Sequence, residues 1–368
     1  MSSAVTDPII AAIETVVDPA FNQPMLALGL IRDIEHHEST ASMTVRLSAP
    51  SVSLQANIRQ ALEQVLAPLG ITTVKINWDL QVPTRQLTSE DPAAEVRNVV
   101  LVCSGKGGVG KSTCAANLAL ALHRAGARVG LLDADIYGPS VPTLFGVMDH
   151  PTSQDGKRIT PLERFGVKLM SIGFLVEDSR EAVVWRGPML HTALMQFLRD
   201  VDWGPLDYLI LDLPPGTGDV ALSLSQHVTM TGAVIVTTPQ EVALQDVYKA
   251  VSMCRKLNVP MLGIIENMSH FVDSAGVKHA IFGTGGGEKV AEFAQAPLMA
   301  QLPIDPKLTE WGDKGMPLVQ AQPDSPTAKA FAKLAEDLAL RIAVTHFQRA
   351  GGNKAPATQG PKRLKVMR

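Results

Sequence analysis

The chain has 368 residues, 46% of them hydrophobic and 19% charged, with a formal net charge of −3. That is length enough for two domains and too little charge for a disordered chain, with no basic excess for coating nucleic acid. Three cysteines, Cys103, Cys114 and Cys254, are too few for a disulfide scaffold and predict a reducing, cytoplasmic setting. The first residues hold no basic stretch ahead of an apolar one, and no apolar run reaches membrane-spanning length, so neither a signal peptide nor a membrane segment is expected.

Asp7-Pro8 predicts a helix start, a capping carboxylate followed by proline at the first helical position, with Ile10, Ile13 and Val17 at helical spacing. Residues 25–34 predict a strand and residues 41–47, which alternate, its hairpin partner. Leu54, Ile58, Leu62, Val65 and Leu69 mark one face of a second helix, and residues 71–78 return as a strand. Together these predict a small α+β domain over residues 1–80. Residues 81–96 are proline-bearing, polar and aperiodic, and predict a linker.

From residue 97 the texture changes. The runs NVVLVCS, RVGLLDAD, DYLILDLP, GAVIVTTP, MLGIIEN and PLMAQLP alternate with helical patterns up to residue 349. Continuous apolar strands of this kind predict an α/β domain, a mainly parallel sheet covered by helices on both faces. Residues 325–347 predict a last amphipathic helix, with Ala328, Phe331, Leu334, Leu338 and Ile342 on one side. Residues 350–368, with five basic residues and no acid, predict a disordered tail.

Gly105-Lys106-Gly107-Gly108-Val109-Gly110-Lys111-Ser112 satisfies the P-loop pattern G-x-x-x-x-G-K-[ST] and is followed by Thr113. Glycines let backbone amides turn inward around phosphates, and the helix that follows adds positive potential. Lys111 is expected to reach the β and γ oxygens of ATP, and the Ser112 hydroxyl to bind Mg²⁺. A buried strand over 98–103 and a small-residue helix over 113–122 supply the context the motif requires. Asp212 closes an apolar strand where a second Mg²⁺ ligand is expected. Asp133 and Asp135 close another, and either one of them orients the attacking water or the two form a capping pair.

Lys106 is a second lysine inside the loop, and with it the stretch KGGVGKST resembles the deviant phosphate loop of the MinD/ParA/Mrp class of ATPases. More narrowly, SGKGGVGKST, DADIYGPSVP, WRGPM, LDLPPGTGD, TTPQEVAL, ENMS and FGTGGGE resemble the Mrp/ApbC iron–sulfur cluster carriers. The N-terminal domain is similar to the small domain often fused to them. The resemblance implies a slow, homodimeric, cytoplasmic ATPase in which Lys106 reaches the partner's nucleotide and Lys106 and Lys111 neutralise phosphate charge. Asn267 and the segment from Pro303 to Asp305 would flank the adenine. It implies delivery of clusters to apo iron–sulfur proteins alongside assembly factors, with no nucleic acid or membrane partner. A positioning ATPase like MinD or ParA, or a nucleotide-dependent adaptor, is the alternative.

The chain departs from that pattern after ENMS. Many carriers hold a Cys-x-x-Cys pair there and bridge a [4Fe–4S] cluster between subunits, whereas here Asp273 and Gly276 stand about where the cysteines would be. Neither supplies a thiolate. The remaining candidates for cluster ligands are Cys103, Cys114, Cys254, an external thiol such as glutathione, and the loop histidines His270 and His279, with Asp273 between them. The cysteine spacings suggest small buried hydrophobes instead.

Overall fold

Local capping sets the first elements of the computed structural model, which describes residues 7–135, 138–153, 156–175, 187–216 and 218–351. The chain divides into two compact units, one of residues 1–83 with 339–368 and the other of residues 84–338.

In the smaller unit, Asp7 Oδ1 accepts from Ile9 N at 2.9 Å and opens α1 (Pro8–Glu14), with the proline at its start, where a missing N–H costs nothing. Two short strands, β1 (Val17–Asp18) and β2 (Gln23–Pro24), pair antiparallel. The strand expected over 25–34 begins only at Ile31. Residues 25–29 turn instead, with Gly29 at φ +67° and its N–H on Leu26 O. Met25, Leu28 and Leu30 are buried there all the same, so the apolar run reported burial and not extension. β3 (Ile31–His37) forms the expected hairpin with β4 (Thr40–Leu47). Ser51 Oγ accepts from Leu54 N at 3.1 Å to start α2 (Val52–Leu66), whose Leu54, Ile58, Leu62 and Leu66 face the core. Each such side chain, fully buried, contributes roughly 2 kcal/mol. β5 (Thr73–Leu80) then pairs parallel with β4, completing a three-stranded sheet.

The larger unit is built on an eight-stranded sheet. Its strands in chain order are β6 (Val99–Ser104), β7 (Val129–Asp133), β8 (Leu162–Arg164), β9 (Val167–Ser171), β10 (Tyr208–Asp212), β11 (Gly232–Thr237), β12 (Met261–Glu266) and β15 (Leu298–Gln301); β13 (Phe271–Val272) and β14 (Lys278–His279) form a separate hairpin. The spatial order is β15-β12-β11-β6-β10-β7-β9-β8, parallel throughout except for the β8–β9 edge. The helices are α3 (Lys111–Arg124), α4 (Val141–Phe145), α5 (Gly187–Arg199), α6 (Gly218–His227), α7 (Glu241–Lys256), α8 (Gly286–Ala294), α9 (Pro306–Asp313), α10 (Leu318–Ala321) and α11 (Pro326–Arg349). All six apolar runs are strands; the β8–β9 edge and the β13–β14 hairpin were not expected.

Two expected boundaries shift. Residues 84–96, read as linker, belong to the larger unit and are pinned by a buried ion pair. The Arg85 guanidinium donates twice to the Asp91 carboxylate and once to Ala93 O, with both side chains 1% exposed or less. Polar composition could not show that these charges satisfy each other. The ATPase domain was expected to run to residue 349, yet the second half of α11, from residue 339, belongs to the smaller unit, where Leu340 and Phe347 pack on the core and Phe347 meets Phe21 at 4.6 Å. The tail from residue 352 lies outside the described residues, as do Ile136, Tyr137, Thr217 and the Trp185-Arg186 part of the WRGPM motif.

Candidate nucleotide site

β6 and β10 lie side by side, with Val102 opposite Asp212, so the loop that follows β6 meets the carboxylate that ends β10. This is the carboxyl end of a parallel sheet, where open α/β folds place ligands. The loop from Gly105 to Gly110 then delivers Lys111 as the first residue of α3. Two glycines are required by geometry. Gly110 sits at φ +79°, and a Cβ on it would collide with the Asn267 amide nitrogen. A Cβ on Gly105 would strike the α7 backbone at Asp246 and Val247. Gly108, at φ +80°, is also left-handed.

The loop is braced from below. Asn267 Nδ2 donates to Val109 O at 2.9 Å, and Asn267 N donates to Thr237 O at 2.8 Å, which ties loop, β11 and β12 together. Asn117 on α3 accepts from Val319 N of α10 at 3.0 Å. α3 itself is lined with small buried residues, among them Ala115, Ala116 and Ala119, which allow close approach to the sheet.

Lys111 is buried, its side chain 6% exposed. Its ammonium donates to Asp212 Oδ1 at 2.6 Å, reaches Ser112 Oγ at 3.3 Å, and lies 3.6 Å from Asp135 Oδ2. Asp212 is fully buried, and burial pushes its carboxyl above the usual range against the opposing pull of Lys111 and Ser112. Its second oxygen, Oδ2, is buried without a hydrogen-bond partner among the described residues. An orphaned carboxylate oxygen beside a serine hydroxyl at the mouth of a P-loop fits a hard, oxygen-seeking cation such as Mg²⁺.

Asp133 and Asp135 differ in a way that spacing could not reveal. Asp133 Oδ1 accepts from Asp135 N at 3.1 Å, and Oδ2 accepts from Ser140 N, Val141 N and Ser171 Oγ at 3.0, 3.0 and 3.1 Å. It is saturated, anchoring the turn into α4, and burial together with the Asp212 charge pushes its carboxyl up to about 7. Asp135, 11% exposed at the side chain, is the one that faces Lys111. The other lysine, Lys106, donates to Val242 O at 3.0 Å and lies 3.6 Å from Asp246 Oδ2, both on α7 of the same chain.

The expected adenine-flanking residues are drawn together by main-chain bonds: Leu302 N donates to Glu266 O, and Ile304 N to His270 O at 2.7 Å. Asp305, however, is engaged, with Oδ1 capping α9 through Lys307 N and Oδ2 accepting from Thr327 Oγ1 at 2.7 Å. Pro303 is half-buried beside it. Glu266 was not anticipated. Nearly fully buried, it accepts from Gly287 N at the start of α8 and from Gln301 Nε2, linking the ENMS and FGTGGGE motifs. A Cβ on Gly287 would press against it.

The expected cluster ligands do not assemble. All three cysteines are buried, and burial pushes the Cys114 thiol up to about 12. Cys103 on β6 and Cys254 on α7 influence each other's thiols, a meeting of two elements that spacing did not suggest; the interaction raises the first thiol and lowers the second. Asp273 is a turn residue: Oδ1 accepts from Ala275 N and Val277 N, both at 2.9 Å, and Oδ2 takes His279 Nε2 at 2.6 Å. Gly276, at φ +80°, closes the same turn. His270 instead turns to Ser269 Oγ at 2.7 Å. Among the described residues no group of three or more His, Cys, Asp or Glu side chains is placed to hold a metal, and no helix is long and apolar enough to cross a membrane.

Comparison with known proteins follows the same division of the chain. A family profile described as NUBPL iron-transfer P-loop NTPase matches residues 95–339, and one described as Iron-sulfur cluster assembly protein matches residues 6–78. An iron–sulfur cluster carrier protein from Synechocystis is 42% identical over 347 residues, which cover 92% of this chain and 98% of that protein. Among solved structures, a nucleotide-binding protein in complex with ADP from Archaeoglobus fulgidus aligns with a TM-score of 0.56 at 36% identity, covering 66% of this chain and 96% of that one. The cell division ATPase MinD of Pyrococcus furiosus aligns with a TM-score of 0.50 at 25% identity, over 66% of this chain and 98% of its own. The phosphate loop braced by Asn267, the buried Lys111–Asp212 pair and these matches place the chain in one family: it belongs to the NUBPL-type iron-transfer P-loop NTPases.

Proposed function

We propose that the chain binds and hydrolyses ATP and uses the cycle to carry iron–sulfur clusters to apoproteins. The observation that carries the nucleotide half is the buried contact of 2.6 Å between Lys111 and Asp212 at the end of the P-loop. On binding, the β and γ oxygens replace Asp212 as partners of Lys111, and the backbone amides from Gly107 to Ser112 hold the phosphates. Ser112 and Asp212 would hold Mg²⁺, which would supply charge neutralisation on the phosphoryl group. Asp135 orients a water for in-line attack, Asp133 keeps the turn beneath it fixed, and Asn267 holds the loop in shape against β12. Lys106 leaves α7 and adds positive charge at a partner's nucleotide in a homodimer.

The carrier half rests on family membership and on the named relatives, whose cargo is an iron–sulfur cluster. In this chain the cargo is held without a Cys-x-x-Cys pair and therefore weakly. The test is one preparation assayed twice: phosphate release from ATP, and absorption after anaerobic reconstitution with iron and sulfide followed by transfer to an apo-ferredoxin. ATP-stimulated transfer supports the reading. Turnover with no cluster uptake under any anaerobic condition overturns the carrier half, and absence of turnover overturns the nucleotide half.

A further inference from the structure

His191 and His227 stand 36 residues apart in sequence on neighbouring helices, outside every motif that describes the nucleotide site. The fold brings them together. Their ring centroids are 5.5 Å apart with planes inclined at 43°, His191 from α5 and His227 as the last residue of α6. His191 is half-buried and His227 exposed, so the pair is open to solvent on one side. The Nδ1 atom of His191 hydrogen-bonds Ser223 Oγ, one turn before His227 on the same helix.

This geometry suits a shared ion. Imidazole nitrogens bind first-row metals at about 2.0–2.1 Å, so two rings on one tetrahedral ion place their centroids roughly 5 Å apart. The observed separation of 5.5 Å is close to that. Ser223 does what an outer partner does in histidine metal sites: when Nδ1 donates to the hydroxyl, Nε2 carries the lone pair and the ring plane is fixed. Serine and His227, four residues apart on α6, present the hydroxyl and the second ring on one helix face.

Imidazole selects zinc, copper, nickel or ferrous iron over the oxygen-seeking Mg²⁺ expected at Ser112 and Asp212, so the two ions do not compete. Among the described residues no third His, Cys, Asp or Glu completes the set. An ion here would keep water at its remaining positions, and would exchange readily.

We propose that His191 and His227, oriented by Ser223, form a surface site for an exchangeable divalent transition-metal ion that clasps α5 to α6. The site does not depend on the nucleotide reading. The ion would also brace the C-terminal end of α6, where His227 lies.

The test is calorimetric titration of the chelator-treated full chain with Zn²⁺. One saturable ion per chain is expected, weakened at least tenfold by His191→Ala and by His227→Gln, and less so by Ser223→Ala. His279→Ala, an exposed histidine on the β13–β14 hairpin, should leave it unchanged. Because His227 lies at an exposed helix end, its substitution keeps the fold, and ATP affinity in each variant serves as the check. A Zn²⁺-dependent rise in melting temperature should vanish in the His191→Ala/His227→Gln double variant. Three results overturn the proposal: no saturable phase in the parent, an undiminished phase in the double variant, or loss of the phase on His279→Ala.

Discussion

Lys111 lies beneath the loop and not upon it, and this changes what its removal does. Lys111→Ala is expected to abolish ATP-dependent turnover and also to strand the Asp212 carboxylate in surroundings where burial already pushes it up. The expected loss is roughly 3–5 kcal/mol without nucleotide, since removing one partner of a buried pair leaves an uncompensated charge. Adding Asp212→Asn should restore most of that stability and none of the turnover; urea unfolding of the four proteins measures the coupling, and strictly additive losses would show that the two groups do not depend on each other. Asp133 and Asp135 should separate by kind of effect. Asp135→Asn should lower kcat with little change in KM, as expected for a group that acts on the transition state. Asp133→Asn should mainly cost stability, about 1–2 kcal/mol, through the turn into α4 that its four accepted hydrogen bonds hold. A kcat defect in Asp133→Asn without a stability defect would exchange the roles.

The β13–β14 hairpin is an element whose side chains serve its own turn. Asp273 accepts two backbone N–H groups and takes His279, while Gly276 occupies a left-handed position, so the residues standing where the family resemblance led one to expect thiols here stabilise a tight reversal. Asp273→Cys combined with Gly276→Cys is expected to increase cluster retention after anaerobic reconstitution. The same change should cost about 1–2 kcal/mol of hairpin stability, because a side chain at that φ is strained. Visible absorption of the reconstituted cluster reads the first effect, and amide exchange at residues 271–279 reads the second. Unchanged retention would mean that thiols at these two positions do not suffice.

At the scale of the molecule, α11 belongs to both units, and Phe347 near its end completes the smaller core against Phe21. Phe347→Ala is expected to destabilise the smaller unit by about 2 kcal/mol, a fraction of the cost of a fully buried aromatic. Hydrogen exchange should then quicken in α2 and stay unchanged in α3; equal acceleration in both would contradict the division. Lys106, held by α7 in this fold, is expected to support an ATP-dependent dimer. Light scattering should find Lys106→Ala monomeric with ATP where the parent dimerises, and a parent that stays monomeric would remove that role.

The strand runs, the P-loop and the capped first helix were legible because each is a local pattern: a continuous apolar stretch, a glycine spacing, a carboxylate before a proline. The same locality explains the misreadings. Apolar residues 25–30 looked extended and turn out to be buried turns, and the polar stretch 84–96 looked loose although Arg85 and Asp91 satisfy each other inside the larger unit. Within the site, the sequence alone supplied the identities of Lys111, Ser112, Asp133, Asp135 and Asp212. Only the tertiary structure could distinguish the saturated Asp133 from Asp135, orphan one oxygen of Asp212, engage Asp305 as a cap, and bring Cys103 to Cys254 and His191 to His227. Charge compensation and hydrogen-bond saturation are properties of neighbours distant along the chain, and those neighbours exist only once the sheet has placed β6, β7 and β10 side by side.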